Sequence, residues 1–181
     1  RESIKQKRYV PVITTLHGTD ITLVGADRSY LPITRYALQQ SDGVTAVSKF
    51  LKRATIETFD FDEIEVIPNF ICALHYKRME DSPLRAELAP SGEKLLTHVS
   101  NFRAVKRPVD CVEIFAKVKE QGEKARLVMV GDGPERSAAY YRAEQLNVLD
   151  DVIFVGKQAN IPASMSVGDI FLLRSELVSF G

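Results

Sequence analysis

Hydrophobic residues along the chain form short runs that alternate with amphipathic stretches. In seven of these runs the apolar residues, rich in Val and Ile, mostly occupy consecutive rather than alternate positions. Consecutive apolar positions are typical of strands buried on both faces, as in a parallel sheet that is covered by helices. The pattern predicts strands over residues 9–16, 43–47, 64–67, 95–100, 126–130, 152–155 and 169–173.

Three of the amphipathic stretches carry signals for helix boundaries. Ser48 is a good N-cap, and Pro108 and Pro134 suit the first turn of a helix. We predict helices over residues 49–58, 109–121 and 135–146. Because strands and helices alternate repeatedly, the predicted fold is a doubly wound α/β fold.

The stretch 70–93 interrupts this alternation. It contains Pro83, Pro90 and many charged residues, and it has no sustained apolar period. Such a composition is typical of a linker between two domains. We therefore predict α/β domains over 1–69 and 94–181, joined by this linker.

The composition is that of a globular protein and excludes several classes. Apolar residues make up 45% of the 181 residues and charged residues 27%, which is typical of a chain with a packed core. No apolar stretch is long enough to span a bilayer. Since 24 basic residues balance 24 acidic ones, we expect neither a nucleic-acid nor a membrane partner. The two cysteines fit neither a disulfide framework nor a metal site, so a cytoplasmic location is predicted.

Residues 14–20, TTLHGTD, follow the first predicted strand. Ligands of open α/β sheets gather at the ends of strands, and Gly18 allows a ligand to approach the backbone next to His17. Thr15, Thr19 and Asp20 add hydroxyl and carboxylate groups. An Asp-containing turn with an incidental histidine explains the segment equally well.

A basic segment follows another predicted strand and immediately precedes a helix. It carries Arg103, Lys106 and Arg107. Because a helix N-terminus has partial positive charge, cations placed there are unfavourable unless an anion offsets them. The segment is a candidate cradle for a diphosphate, and a solvated basic turn is the alternative.

Two further strand ends give weaker signals. The turn 131–135, GDGPE, lacks the lysine of a P-loop and the spacing of a dinucleotide fingerprint. The segment 175–181 offers Ser and Gly backbone amides, with Glu176 as a possible partner for a sugar hydroxyl. His75 and His98 have no companion that suggests a metal, so we expect them to be ordinary polar or core residues.

In this order the motifs resemble the retaining glycosyltransferases of family 4. The residues that carry the resemblance are HGTD at 17–20, VTAVSK at 44–49, VIPN at 66–69, SNFRAVKR at 100–107, GDGPE at 131–135 and SFG at 179–181. The resemblance implies a GT-B fold, in which two Rossmann-like domains face each other across a cleft. Residues 1–69 would belong to the acceptor-side domain and residues 94–181 to the domain that binds the UDP-sugar.

The resemblance also implies roles for individual residues. His17 would contact the donor sugar near the reacting centre, while Arg103 and Lys106 would hold the diphosphate and stabilise the departing UDP. The implied donor-binding residues are Gly133, Lys157, Glu176, Ser179, Phe180 and Gly181. Thr15, Gly18 and Thr19 would lie on the acceptor side. No metal or other cofactor is expected, because cationic side chains would take its place at the phosphates.

Within the family, the combination of TTLHGTD and SNFRAVKR is similar to the bacillithiol-pathway branch, which transfers N-acetylglucosamine from UDP-N-acetylglucosamine to L-malate. A GT-B nucleotide-sugar epimerase and a non-catalytic UDP-sugar-binding protein are the alternatives. A homo-oligomer is possible.

The sequence departs from the family pattern at several positions. Arg103 lies three residues before Lys106 instead of five, and Val178 stands where the family has Glu. The chain begins without Met and ends at Gly181, directly after an apolar run. We expect it to contain parts of two domains of a longer protein, and as an isolated fragment to be inactive.

Overall fold

A computed structural model of the chain describes residues 9–18, 27–78 and 82–175. The chain divides into two compact units, of which the first ends at Phe70 and the second begins at Ile71. Within residues 70–93, a short helix packs Leu88 and Ala89 into the core of the second unit. No helix in the described part of the chain is both long and apolar enough to cross a membrane.

The first unit is a parallel sheet with two helices. Its elements are β1 (Ile13–Leu16), α1 (Leu31–Gln39), β2 (Gly43–Ala46), α2 (Lys49–Phe59) and β3 (Ile64–Val66), and the strand order is β1-β2-β3. The Ser48 side chain accepts a hydrogen bond from Leu51 N–H at 3.2 Å and so caps α2. Leu16, Val44 and Leu51 belong to the core that the helices cover.

The second unit is a four-stranded parallel sheet. Its elements are α3 (Pro83–Leu88), β4 (Lys94–Val99), α4 (Pro108–Glu120), β5 (Ala125–Val130), α5 (Arg136–Gln145), β6 (Val152–Gly156), α6 (Ile161–Ser166) and β7 (Ile170–Phe171). The strand order is β6-β5-β4-β7, so the chain returns to the other side of β4 after β6. One apolar cluster includes residues of α4 and α5, and a second includes residues of α3.

An ion-pair network holds Asp169, the residue directly before β7. Asp169 accepts hydrogen bonds from Arg85 Nη2 and from Leu95 N–H, both at 2.9 Å. Burial alone would raise the pKa of the Asp169 carboxyl, but these bonds and the Arg85 charge lower the pKa below 3.8. Asp169 is therefore an anionic anchor between β7, β4 and α3.

The predicted α/β class and the seven strands are confirmed. The first strand begins at Ile13, later than predicted, and α2, α4 and α5 lie where helices were expected. The helices α1, α3 and α6 were not predicted from the sequence.

Candidate functional site

The second unit has a topological switch point between β4 and β7. The two strands pair in parallel as far as Thr97 and Phe171, and Leu172 N–H then donates to Thr97 O at 2.8 Å. In open α/β sheets, ligands bind outside the carboxyl ends of the strands at such a point. The segments that leave these strands, residues 100–107 and 172–175, therefore frame a candidate binding site.

The loop after β4 is packed against the glycine turn that follows β5. A Cβ at Gly131 would lie 1.8 Å from Ser100 O, and one at Gly133 would lie 2.0 Å from Asn101 O. Glu135 N–H donates to Phe102 O at 2.9 Å, and Phe102 is buried with a φ of 40°. The absence of side chains at the two glycines lets the neighbouring backbones touch.

His98 lies fully buried at the switch point and uses both ring nitrogens. Nδ1 is 2.9 Å from Leu172 O, and Nε2 is 2.8 Å from Ser100 Oγ. Cys111 Sγ lies 3.5 Å from Nδ1. Burial lowers the pKa of His98, the Lys106 charge lowers it further, and the bond to Leu172 opposes both. The imidazole is therefore neutral at physiological pH.

Two cations of the basic segment make no ion pair with the part of the chain that the structure describes. Arg107 pairs with Asp110 at 2.7 Å, whereas Arg103 and Lys106 have no such carboxylate partner. Lys106 N–H donates to Arg103 O at 2.8 Å in the turn that precedes α4. Two cations beside a helix N-terminus favour an anion such as a phosphate.

The segment after β7 adds two polar residues that the sequence analysis did not assign to the phosphate site. Burial and the Asp110 charge raise the pKa of Cys111 to about 11, and the positive charge of Arg174 opposes this rise. Arg174 therefore acts on the first turn of α4. Arg174 is exposed and has no carboxylate partner among the residues described. The buried Ser175 Oγ lacks a hydrogen-bond partner within the described segments. The signal that could have found Arg174 is a cation directly after an apolar run at a strand end.

The first unit carries its own group of predicted site residues. Thr15, His17 and Asn69 line a cavity of about 410 Å³ at the carboxyl edge of its sheet. Thr45 Oγ1 donates to Thr15 Oγ1 at 2.9 Å, and His17 is exposed. Gly18 has a φ of 124°, which L side chains rarely adopt.

The structure thus gathers part of the predicted site at each of two sheet edges. In the second unit Gly133 contacts the loop that leads to Arg103 and Lys106, and Lys157 lies exposed just after β6. Thr15, His17 and Gly18 follow one another at the edge of the first unit. The predicted residues Thr19, Glu176, Ser179, Phe180 and Gly181 lie outside the described residues. Among those described, no three His, Cys, Asp or Glu residues group closely enough to hold a metal.

Comparison with protein families identifies the class of this chain. Residues 81–181 match the family described as Glycosyl transferases group 1, and residues 2–73 match Glycosyltransferase Family 4. The chain belongs to the group 1 glycosyl transferases. It is 41% identical over 174 residues to the N-acetyl-alpha-D-glucosaminyl L-malate synthase of Bacillus anthracis, a match that covers 95% of this chain and 45% of that protein.

Solved structures give the same fold. The chain superposes on Anabaena Alr3699/HepE in complex with UDP-glucose with a TM-score of 0.80 and 20% identity, covering 91% of this chain and 47% of that one. It superposes on the sucrose-phosphate synthase of Thermosynechococcus elongatus with a TM-score of 0.74 and 21% identity, covering 98% and 48%. The predicted GT-B class is confirmed. The chain spans about half the length of these relatives, which it matches over most of its own length.

Proposed function

We propose that the protein containing this chain is a retaining glycosyltransferase that moves N-acetylglucosamine from UDP-N-acetylglucosamine to a small acid, L-malate. The observation that carries the proposal is the pair Arg103 and Lys106 at the switch point of the second unit, without a carboxylate partner in the described chain. The likeness to the Bacillus anthracis synthase supports the choice of donor and acceptor. The binding of UDP-glucose by Alr3699/HepE, named above, supports a nucleotide-sugar donor.

The second unit would bind the donor and the first unit the acceptor. In this scheme Arg103 and Lys106 stabilise the charge that develops on UDP as the glycosidic bond breaks. The acceptor oxygen attacks the sugar on the face that UDP leaves, and His17 contacts the sugar at that centre. Since two cations and the α4 N-terminus neutralise the diphosphate, the reaction needs no metal. We place the enzyme in the cytoplasm, with small molecules as its partners.

Calorimetric titration of the full-length protein with UDP tests the phosphate site. Because a hydrogen bond to a charged group contributes about 1.5–3 kcal/mol, Arg103→Ala and Lys106→Ala should each weaken UDP binding about 10- to 100-fold. Arg107→Ala is the matched control, since Asp110 already compensates that charge. The control should change the affinity by less than about threefold. Equal UDP affinity for wild type and Arg103→Ala would contradict the assignment.

His17 has a separate test, because it belongs to the other unit. His17→Ala should lower turnover by more than it lowers UDP affinity, since the imidazole acts at the sugar rather than at the nucleotide. A larger effect on UDP affinity than on turnover would place His17 in the nucleotide pocket instead. Activity that survives a metal chelator would agree with the metal-free scheme, and activity that depends on added metal would contradict it.

A non-catalytic UDP-sugar-binding protein is the second candidate. It is favoured by Val178, which stands where the family has Glu and whose side chain has no atom that can accept a hydrogen bond from a sugar hydroxyl. Val178→Glu in the full-length protein decides between the two functions. A gain of transfer activity from an inactive wild type would support the non-catalytic candidate, and transfer by the wild type would exclude it.

A further inference from the structure

One buried side chain connects the two segments that frame the switch point. His98 belongs to β4, yet its Nδ1 is 2.9 Å from the carbonyl oxygen of Leu172, which is 74 residues further along the chain. A carbonyl oxygen only accepts, so Nδ1 carries the proton and donates to it. In the neutral ring Nε2 is then an acceptor, and Ser100 Oγ at 2.8 Å donates to it.

The connection continues into the loop that carries the basic residues. Ser100 Oγ accepts a hydrogen bond from Phe102 N–H at 3.1 Å, and the Phe102 ring stacks on the His98 ring at 5.8 Å between centroids. Arg103 follows Phe102 directly. A continuous chain of hydrogen bonds thus runs from Leu172 through one imidazole to the residue before Arg103.

This connection lies where the regular pairing of the strands ends. The paired residues of β4 and β7 end at Thr97 and Phe171, and beyond them the His98 ring bonds the Leu172 carbonyl. An apolar side chain of similar size would fill the same space, but it would leave that carbonyl and the Ser100 hydroxyl without this partner. Since an unsatisfied buried polar group costs about 1–3 kcal/mol, packing alone does not account for a histidine here.

The charges around His98 fit a structural hydrogen-bonding role better than a role as an acid or base. Lys106 acts on the ring from the basic turn and, with burial, favours the neutral form. The Cys111 thiol beside Nδ1 has a pKa raised to about 11 and is also neutral. The His98 ring is therefore a fixed hydrogen-bond donor and acceptor that lies near the positive charge of Lys106.

We propose that His98 is a positioning residue that holds the basic loop after β4 against the segment after β7, so that the two donor-binding segments keep one relative placement. The proposal rests on the proposed function for its ligand. It goes beyond that function because His98 itself need not touch the donor.

Two amide variants each remove one of the two hydrogen bonds that the imidazole makes. His98→Asn keeps an N–H donor near the Nδ1 position and loses the acceptor for Ser100. His98→Gln keeps an acceptor near the Nε2 position and loses the donor for Leu172. Met129→Leu is the matched control, because buried Met129 is the partner of His98 in the β4–β5 register and its side chain makes no polar contact with the residues that the structure describes.

In the full-length protein, each His98 variant should weaken UDP binding about tenfold at a temperature where it is folded, whereas Met129→Leu should change it by less than about twofold. In an Arg103→Ala background the same His98 variants should add less than about threefold, because the residue acts through the loop that carries Arg103. Unchanged UDP affinity combined with a lower Tm, or fully additive losses, would overturn the proposal.

Amide hydrogen exchange gives a measurement that needs no ligand. His98→Asn should speed exchange at Phe102 N–H, because Ser100 Oγ is no longer oriented, while His98→Gln should leave this amide protected. If wild type binds no UDP, the proposed function fails and the exchange pattern still decides the positioning role. Ser100→Ala removes the acceptor of Phe102 N–H itself and sets the fast limit against which His98→Asn is compared. Exchange at Phe102 that is as slow in His98→Asn as in wild type would refute the inference. If His98→Asn does not fold, the UDP affinities of His98→Gln with and without Arg103→Ala decide it.

Discussion

Substitution of Gly133 by alanine distinguishes a packing role of this residue from a ligand-binding role. Its backbone adopts no left-handed conformation, so the substitution adds only a methyl group. That methyl carbon would lie 2.0 Å from Asn101 O and 3.0 Å from Phe102 O, where ordinary contacts begin at 3.4 Å. One of the two backbones must move by more than an ångström. The loop that carries Arg103 is the neighbour that is displaced.

The expected cost follows from overpacking a tight backbone contact. Insertion of an extra carbon into a well-packed site costs about 1–3 kcal/mol of unfolding free energy. For a unit of this size, that corresponds to a fall in Tm of about 5–20 °C. UDP affinity should fall as well, because misplacement by about 1 Å is enough to spoil charged contacts.

Two other glycines supply the controls. Gly156 has a φ of 70°, and a Cβ added there would meet open space. Gly156→Ala therefore measures backbone strain alone, about 1–2 kcal/mol. Gly131 combines a φ of 122° with a Cβ position 1.8 Å from Ser100 O, so Gly131→Ala should be the most destabilising of the three. Urea unfolding and UDP titration of the full-length variants measure both quantities. A Gly133→Ala protein of wild-type stability with weakened UDP binding would refute the packing argument and favour direct donor contact.

Three further predictions concern stability and reactivity. The folded pKa of Asp169 lies below the ordinary value of 3.8, so its stabilisation is complete above about pH 5 and is lost as the pH falls from there through the lower folded pKa. Asp169→Asn should flatten the wild-type fall in stability over that range, and parallel pH curves would contradict this. Cys72 is exposed and Cys111 is buried with a pKa of about 11, so a thiol reagent at pH 8 should modify Cys72 alone in the folded protein, and rapid modification of both would contradict their burial. Ser48→Ala should cost about 1 kcal/mol in urea unfolding, while Ser82→Ala, at a helix start without a side-chain cap bond, should be neutral; equal costs would contradict the capping argument.

The regular elements that the sequence predicts are those with strong local signals. All seven strands are short apolar runs, and α2 begins at a serine cap. The helix α1 was missed because Pro32 in its first turn reads as a break, and Tyr30 before it offers no side-chain cap bond. The helix α3 lies in the stretch 70–93, where Pro83 opens a helix of only six residues. A proline at the start of a helix and a proline that ends one look alike without tertiary context.

The site was predictable only as far as each strand end could be interpreted by itself. Arg103 and Lys106 follow a strand and precede a helix, which is visible locally. The order of the strands is not local, so local patterns do not place the segment after β7 beside the loop after β4, and only the family resemblance implies that both bind the donor. His98 has no companion that suggests a metal, so the sequence predicts only an ordinary polar or core residue, and its partner Leu172, 74 residues further along the chain, is not visible locally. The resemblance implies that Gly133 binds the donor, and the structure adds that Gly131 and Gly133 receive the backbone of the neighbouring loop, a contact that the sequence alone does not reveal.

The distribution of charge in the second unit indicates which cations the fold itself uses. At the amino edge of its sheet, Arg85 pairs with Asp169 at 2.9 Å and Lys119 pairs with Asp151 at 2.8 Å. At the carboxyl edge Arg107 pairs with Asp110 at 2.7 Å, while the loops are held to one another by glycine contacts and a neutral imidazole. Arg103, Lys106 and Arg174 have no carboxylate partner in the described chain.

Unpaired cations beside a helix N-terminus repel it and one another, so a bound anion should relieve this cost and raise stability. At a UDP concentration of 100 times Kd, the gain in unfolding free energy is about 2.7 kcal/mol if UDP binds only the folded state. Arg174→Ala should reduce this gain while raising the stability of the ligand-free protein. Thermal unfolding with and without UDP measures both effects. A variant that loses stability in the absence of UDP would mean that Arg174 serves the fold rather than the ligand.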